Sequence, residues 1–151
     1  MRPGDALLLF ADAVEDDLGR ALERASAAAN RELFARLTAL GHAVRPAIMP
    51  VFMGLDPAGT HITVLAARAG ISRQAMSALV RDVEAAGLVA TSQDPGDKRA
   101  LLVELTETGA AMCRDAAELS HAITAEWQAK LGEKQFSALL ETTRAIGNDP
   151  S

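Results

Sequence analysis

The sequence has no tyrosine, one tryptophan and one cysteine among its 151 residues. The single cysteine, Cys113, cannot form an internal disulfide, and no Cys and His spacing in the chain matches a zinc site. No run of about 18 apolar residues is present, and the N-terminal stretch lacks the cleavage site of a secretory signal. We therefore expect one cytoplasmic domain, residues 1–151, that is held together by packing and has no cofactor, metal or membrane partner.

The residue groups that indicate an enzyme are also missing. No Ser/His/Asp, Cys/His or paired-carboxylate arrangement stands out, and no glycine loop has phosphate-binding spacing. The three histidines, His42, His61 and His121, are too scattered for a linear metal motif. The sequence therefore predicts that the protein is not an enzyme. For Cys113, which lies one step off an apolar stripe, we expect a buried structural role.

Apolar residues at helical spacing predict long helices in the first third of the chain. One helix is expected over 5–28 and its continuation over 30–43, with an acidic face opposite the apolar one. Pro46 suits a first helical turn, which predicts a further helix over 46–55, with Pro50 at its fifth position.

The last third has a similar pattern. Thr106 is the expected cap of a long helix whose apolar stripe includes Trp127, and a final helix that buries Phe136 is expected over 133–146. The outer helices offer more apolar surface than a domain of this size buries alone, which favours a dimer. A monomer with a four-helix cap stays open.

The middle of the chain contains two short predicted helices. Thr60 is the expected cap of the first, which ends at Gly70, and Ser72 is the expected cap of the second, which stops at Gly87. A short turn that contains Gly70 joins them. Helix, short turn and helix are the parts of a helix-turn-helix.

A predicted hairpin follows the second helix. The apolar residues of 88–92 and the alternation of Leu101, Val103 and Leu105 predict two strands around a tight polar turn. A helix-turn-helix followed by such a ribbon is a winged helix-turn-helix, which places its second helix in the major groove of DNA. The predicted fold class is mainly α with a small β-hairpin wing (α+β), with N- and C-terminal dimerisation helices.

The outer face of the second helix, 72–86, has residue types suited to DNA. Arginine pairs with guanine, glutamine with adenine, and serine hydroxyls hold phosphate. The candidate contacts on this helix are Ser72, Arg73, Gln74, Ser77 and Arg81. On the wing, 92–101, Lys98 and Arg99 can reach phosphates or a narrow minor groove, and Asp97 is expected to orient a guanidinium.

These residues resemble the DNA-binding core of the MarR (multiple antibiotic resistance regulator) family. The wing pattern D-x-R-x-x-x-V-x-L-T-x-x-G is met by Asp97, Arg99, Val103, Leu105, Thr106 and Gly109. The helix-turn-helix pattern L-A-x-x-x-G-[IV]-S-R is met by Leu65, Ala66, Gly70, Ile71, Ser72 and Arg73. The wing pattern is the more specific of the two.

The resemblance implies a homodimeric repressor. Its N- and C-terminal helices, here 5–45 and 106–147, would interlock as the dimerisation region, and 46–105 would form the DNA-binding lobe. The two lobes would meet a pseudo-palindromic double-stranded operator about one helical turn apart, ~34–36 Å. The resemblance also implies release by a small aromatic or amphipathic effector, for which His42, Arg45, Met49 and Met53 are the candidate pocket residues.

The charge balance of the predicted lobe leaves a second function open. Residues 71–101 contain as many acidic side chains as basic ones, Asp82, Glu84, Asp94 and Asp97 against Arg73, Arg81, Lys98 and Arg99. This is a thin electrostatic footprint for a DNA-binding protein. The alternative is a winged-helix protein-interaction module without operator binding.

Overall fold

The computed structural model describes residues 1–15, 17–97 and 99–148. These residues form seven α-helices, one turn of 3-10 helix over Pro46–Ile48, and three short strands. The elements are α1 (Pro3–Glu15), α2 (Leu18–Ala39), α3 (Met49–Gly54), β1 (Thr60–His61), α4 (Ile62–Ala69), α5 (Arg73–Ala85), β2 (Val89–Gln93), β3 (Leu101–Leu105), α6 (Glu107–Leu131) and α7 (Glu133–Gly147).

The single helix predicted over 5–28 is wrong, because α1 and α2 are separate helices. Asp17 is the N-cap of α2, and its carboxylate accepts a hydrogen bond from the Gly19 backbone N–H at 3.0 Å. An aspartate cap satisfies an N–H group that would otherwise lack a partner, so a new helix starts there. The second helix then ends at Ala39 rather than at Ala43.

The predicted helix over 46–55 begins as a 3-10 turn. Because this turn occupies Pro46–Ile48, Pro50 lies in the first turn of α3 and not at the fifth position of one helix. A proline in a first turn costs no intrahelical hydrogen bond, since the N–H groups there have no helical acceptor.

Thr60 does not cap α4, as the sequence had suggested. His61 is the N-cap residue and makes no side-chain capping bond, whereas Thr60 is buried in β1 and its hydroxyl accepts a hydrogen bond from the Asp56 backbone N–H at 2.8 Å. Strand β1 pairs antiparallel with β3, so that the sheet order is β1-β3-β2. The predicted hairpin thus gains a third strand just before the helix-turn-helix.

One buried apolar cluster joins the outer helices to the middle of the chain. It extends from Phe34 and Leu37 on α2, through Leu65 and Met76 of the two short helices, to Met112 on α6. Because these residues share one core, α4 and α5 are held against the long helices rather than linked to them by a flexible tether.

The start of α6 is joined by two hydrogen bonds to the residues that follow the second short helix. The Thr106 hydroxyl accepts a hydrogen bond from the Gly109 N–H, as its predicted capping role requires, and donates one to the Gly87 carbonyl at 2.6 Å. The Thr106 N–H donates to the Leu88 carbonyl at 3.1 Å. The Thr and Gly of the wing pattern therefore have a structural purpose, which is to anchor α6 beside the wing.

Candidate nucleic-acid interface

Helix α5 presents its polar face to solvent. Met76, Val80 and Val83 are buried on the opposite face, which fixes the rotation of the helix. The Ser72 hydroxyl caps the helix by accepting a hydrogen bond from the Ala75 N–H at 3.1 Å. Four of the predicted contact residues are exposed and the fifth, Ser77, is half-buried; the exposed ones are Ser72, Arg73, Gln74 and Arg81.

Two aspartates order the tip of the wing. The Asp94 carboxylate accepts a hydrogen bond from the Gly96 N–H at 2.7 Å, and the Asp97 carboxylate accepts one from the Arg99 N–H at 3.0 Å. Asp97 therefore orients the backbone of Arg99, and no ion pair of its carboxylate with a guanidinium occurs within the described residues. Lys98 lies outside the described residues.

A cleft of about 280 Å³ separates α5 from the wing tip. Arg73 and Ser77 line it from the helix, and Asp97 and Arg99 line it from the wing. His61, at the start of α4, completes one wall. The structure thus brings together residues from the two predicted contact elements, whereas Gln74 and Arg81 lie on the same helix outside the cleft.

The acidic side chains of this region are engaged within the protein. Asp82 forms an ion pair with Arg45 from the loop before the 3-10 turn. Glu84 accepts hydrogen bonds from the backbone N–H and the hydroxyl of Thr91, at 2.8 and 2.7 Å. The Gly96 N–H, followed by the His61 side chain, holds the pKa of the Asp94 carboxyl below its ordinary value, so that it stays charged.

The three arginines described in the same region differ from these acids, because they form no ion pair within the described residues. In 17–97 and 99–148, the guanidinium groups of Arg73, Arg81 and Arg99 form no ion pair with a carboxylate. Cations that face solvent without an internal partner remain available for phosphate or base edges. The equal counts of acids and bases therefore understate the positive character of the exposed face.

The four candidate effector residues do not line one pocket. His42 and Arg45 line a pocket of about 290 Å³ between α2 and α5, where His42 is hydrogen-bonded to Asp115 at 2.6 Å. Met49 and Met53 line a separate apolar pocket of about 170 Å³. Cys113 borders the second pocket, half-buried, and burial raises the pKa of its thiol.

A larger apolar groove is lined by only one of the four predicted effector residues, Met49. It measures about 480 Å³, lies between α2, α6 and α7, and has no charged residue in its lining. Leu33, Trp127 and Phe136 are among its lining residues. Their helical periodicity signalled burial, but periodicity does not distinguish a filled core from an open groove.

Neither a cluster of metal ligands nor a membrane-spanning helix occurs in the described part of the chain. No set of three or more His, Cys, Asp and Glu side chains there is placed to hold a metal ion. None of the helices there has the length and apolar character needed to cross a membrane.

A capped helix with an exposed polar face, preceded by a short helix and flanked by a small antiparallel sheet, defines a winged helix-turn-helix protein. The family model for this segment is that of the MarR family, which matches residues 51–100. This match confirms the resemblance seen in the sequence, and the matched segment contains α4, α5, β2 and part of the wing turn. No curated protein sequence matches the chain.

Solved structures of transcriptional regulators have the same fold over most of the chain. The transcriptional repressor CouR bound to a 23-mer DNA duplex matches with a TM-score of 0.71 at 23% identity, over 91% of this chain and 97% of that one. CouR from Rhodococcus jostii RHA1 bound to p-coumaroyl-CoA gives 0.67 at 24% identity, over 91% and 96%.

Wild-type MarR from E. coli in its apo form gives a TM-score of 0.69 at 23% identity, over 85% of this chain and 95% of that one. The predicted fold class, mainly helical with a small sheet, is therefore confirmed. The fold is that of transcriptional regulators.

Proposed function

We propose that the protein is a homodimeric transcriptional regulator that binds an operator through α5 and the wing. The cleft that joins Arg73 and Ser77 to Arg99 is the observation that supports this most directly, because it aligns two elements that meet neighbouring DNA surfaces. Helix α5 would enter the major groove, and the wing would contact the backbone or the minor groove. The resemblance favours repression, no enzymatic activity and a cytoplasmic location.

The hydrogen bonds at the start of α5 assign different roles to the two serines. The Ser72 hydroxyl accepts a bond from Ala75, so its own hydrogen is free to donate to a phosphate. The Ser77 hydroxyl already donates to the Arg73 carbonyl at 2.8 Å, and it must rotate before it can donate to DNA. Ser72 is therefore the stronger phosphate ligand, and Arg73 and Gln74 are the base readers.

Assembly of two copies of the chain into a dimer is supported by apolar surface that is exposed in the protomer. Helix α1 has no buried residue, and four consecutive large apolar side chains, Leu7, Leu8, Leu9 and Phe10, are 62–71% exposed. Exposed apolar surface of this extent marks an interaction site. We assign 5–45 and 106–147 to the dimerisation region and 46–105 to the DNA-binding lobe.

A small-molecule effector is the proposed regulator of DNA binding. CouR, which shares the fold, has been solved both with DNA and with p-coumaroyl-CoA. In this chain the groove of about 480 Å³ between α2, α6 and α7 is the proposed effector site, because its uncharged, mainly apolar lining favours a neutral aromatic or aliphatic group. An effector bound there would shift the dimer to a geometry that does not fit the operator.

Fluorescence anisotropy on a duplex from the region upstream of the protein's own gene tests the proposal. With the four cations of each lobe at phosphates, the logarithm of affinity should fall with that of salt concentration with a slope of up to roughly −7, or about −5 when Arg73 contacts a base instead. Arg99→Ala should weaken binding to all sequences and reduce the slope by about 2 per dimer, whereas Arg73→Ala should also relax sequence preference.

Arg31→Ala, on α2 and remote from the cleft, is the matched control: once sedimentation equilibrium shows that it dimerises as the wild type does, it should bind DNA as the wild type does. Absence of binding to this duplex and to a pool of genomic fragments at low salt would contradict operator recognition. If the protein instead captures a protein partner with no dependence on salt, the interaction-module alternative is favoured.

A further inference from the structure

A hydrogen bond connects the wing tip to the start of the helix-turn-helix. The His61 Nε2 atom lies 2.6 Å from an Asp94 carboxylate oxygen, although the residues are 33 positions apart. His61 is the N-cap residue of α4 and pairs with Leu102 of β3. Asp94 immediately follows β2, at the point where the chain leaves the sheet to form the tip.

Asp94 also organises the turn that contains Arg99. Its other carboxylate oxygen accepts a bond from the Gly96 N–H, its N–H donates to the Ala100 carbonyl at 3.1 Å, and its carbonyl accepts from the Asp97 N–H at 3.2 Å. A displacement of Asp94 would thus carry the whole tip with it, including Arg99.

The base of the wing is held by a different contact. Glu84, near the end of α5, accepts both hydrogen bonds from Thr91 in the middle of β2. Loss of the His61–Asp94 bond would therefore release the tip without detaching β2 from α5.

We propose that His61 and Asp94 are positioning residues that set the distance between Arg99 on the wing and Arg73 on α5. This inference depends on the proposed DNA-binding function. The bond ties the tip to His61, which lines the same cleft as both arginines, and its loss leaves the tip free to take several positions. A mobile tip must be ordered when DNA binds, which lowers affinity.

His61 must act as the donor in this bond. The Asp94 carboxylate is charged and only accepts, so the bond requires a hydrogen on His61 Nε2. The side chain is 36% exposed, and it shares the cleft with Arg73, Asp97 and Arg99.

The test measures operator affinity of the full-length dimer for His61→Ala and His61→Gln by anisotropy. His61→Ala should weaken binding roughly tenfold, because Arg99 is no longer placed. His61→Gln retains an N–H donor and should recover most of the affinity. His121→Gln, on the exposed face of α6, is the matched control: once sedimentation equilibrium shows that it dimerises as the wild type does, it should bind the operator with wild-type affinity.

A double-variant cycle with Arg99→Ala distinguishes positioning from a direct contact. If His61 acts through Arg99, His61→Ala should cause little further loss in the Arg99→Ala background. Additive losses would overturn the inference, as would wild-type affinity in His61→Ala.

Hydrogen exchange of the Gly96, Asp97 and Ala100 amides gives a readout that does not need DNA. Protection of these amides should fall in His61→Ala while that of the Thr91 amide persists. Unchanged protection would overturn the positioning role whatever the DNA result. If the wild type binds no DNA, the proposed function fails together with this inference. If the wild type binds DNA and the His61 variants bind it equally well, the inference alone fails.

Discussion

Gly109, in the first turn of α6, lies against the backbone carbonyl of Leu88. A Cβ atom at Gly109 would stand 2.0 Å from the Leu88 oxygen and 2.8 Å from a side-chain carbon of Leu105. The same oxygen accepts the hydrogen bond of the Thr106 N–H, so it cannot turn away without loss of that bond. Glycine is therefore required here for close approach of two backbone segments. This contact fixes α6 directly to the end of the α5 segment.

Gly109→Ala should consequently destabilise the protein. A methyl group placed against backbone forces α6 to shift, and overpacking of this kind costs about 3 kcal/mol or more. For a chain of this length we expect Tm to fall by roughly 6–12 °C. Gly147→Ala, at the end of α7 where a Cβ meets nothing within 4 Å, is the control. Equal melting temperatures for the two variants would show that α6 is not anchored at this position.

Ser72 combines a structural bond with a proposed phosphate contact, and two substitutions separate them. Ser72→Ala removes the cap of α5 and should cost about 1 kcal/mol of unfolding free energy. Ser72→Asp retains a capping oxygen and should keep the stability, but its charge should repel DNA. Urea denaturation and operator titration of both variants give the two effects. A stable Ser72→Asp variant that binds as tightly as the wild type would exclude Ser72 from the interface.

The Arg36–Glu126 pair, which joins α2 to α6, should contribute to stability only above acidic pH. Two hydrogen bonds of 2.9 and 2.8 Å connect the groups, and the guanidinium lowers the pKa of the Glu126 carboxyl. A lowered pKa in the folded state means that this stabilisation is complete above the unfolded value of about 4.3 and disappears as pH falls through the folded value.

Glu126→Gln should therefore melt below the wild type at pH 6, and the two should converge near pH 3. Thermal melts at pH 6, 4.5 and 3 measure this, with the exposed Glu118→Gln as control. A difference that stays constant over this range would mean that the charge of Glu126 contributes nothing.

Helix α1 should contribute to the dimer rather than to the protomer. Since none of its residues is buried in the protomer, Phe10→Ser should leave the protomer folded and weaken dimerisation about tenfold or more. Sedimentation equilibrium measures the dissociation constant, and the exposed Ala13→Ser provides a matched polar substitution on α1. Equal dimerisation of wild type and Phe10→Ser would assign the exposed face to another partner.

Much of the helix-turn-helix could be predicted because its signals are local. Ser72 and Thr106 cap their helices through bonds to residues three positions away, and Gly70 and Gly87 end helices with φ of 65° and 74°. Such contacts depend on neighbouring residues alone, so the sequence pattern contains them. The break before α2 was equally local, through Asp17, but the apolar periodicity continues across it and obscured the cap.

The sequence by itself determined the order and type of the elements that form the winged helix, together with the residues on the exposed face of α5. Only the tertiary structure decided that β1 joins the sheet, that His61 bonds Asp94, and that the expected effector residues are divided between different pockets. Those outcomes depend on residues tens of positions apart, such as His42 and Asp115 at a separation of 73. Contacts over that distance are set by how the apolar faces of whole helices pack, which no local spacing records.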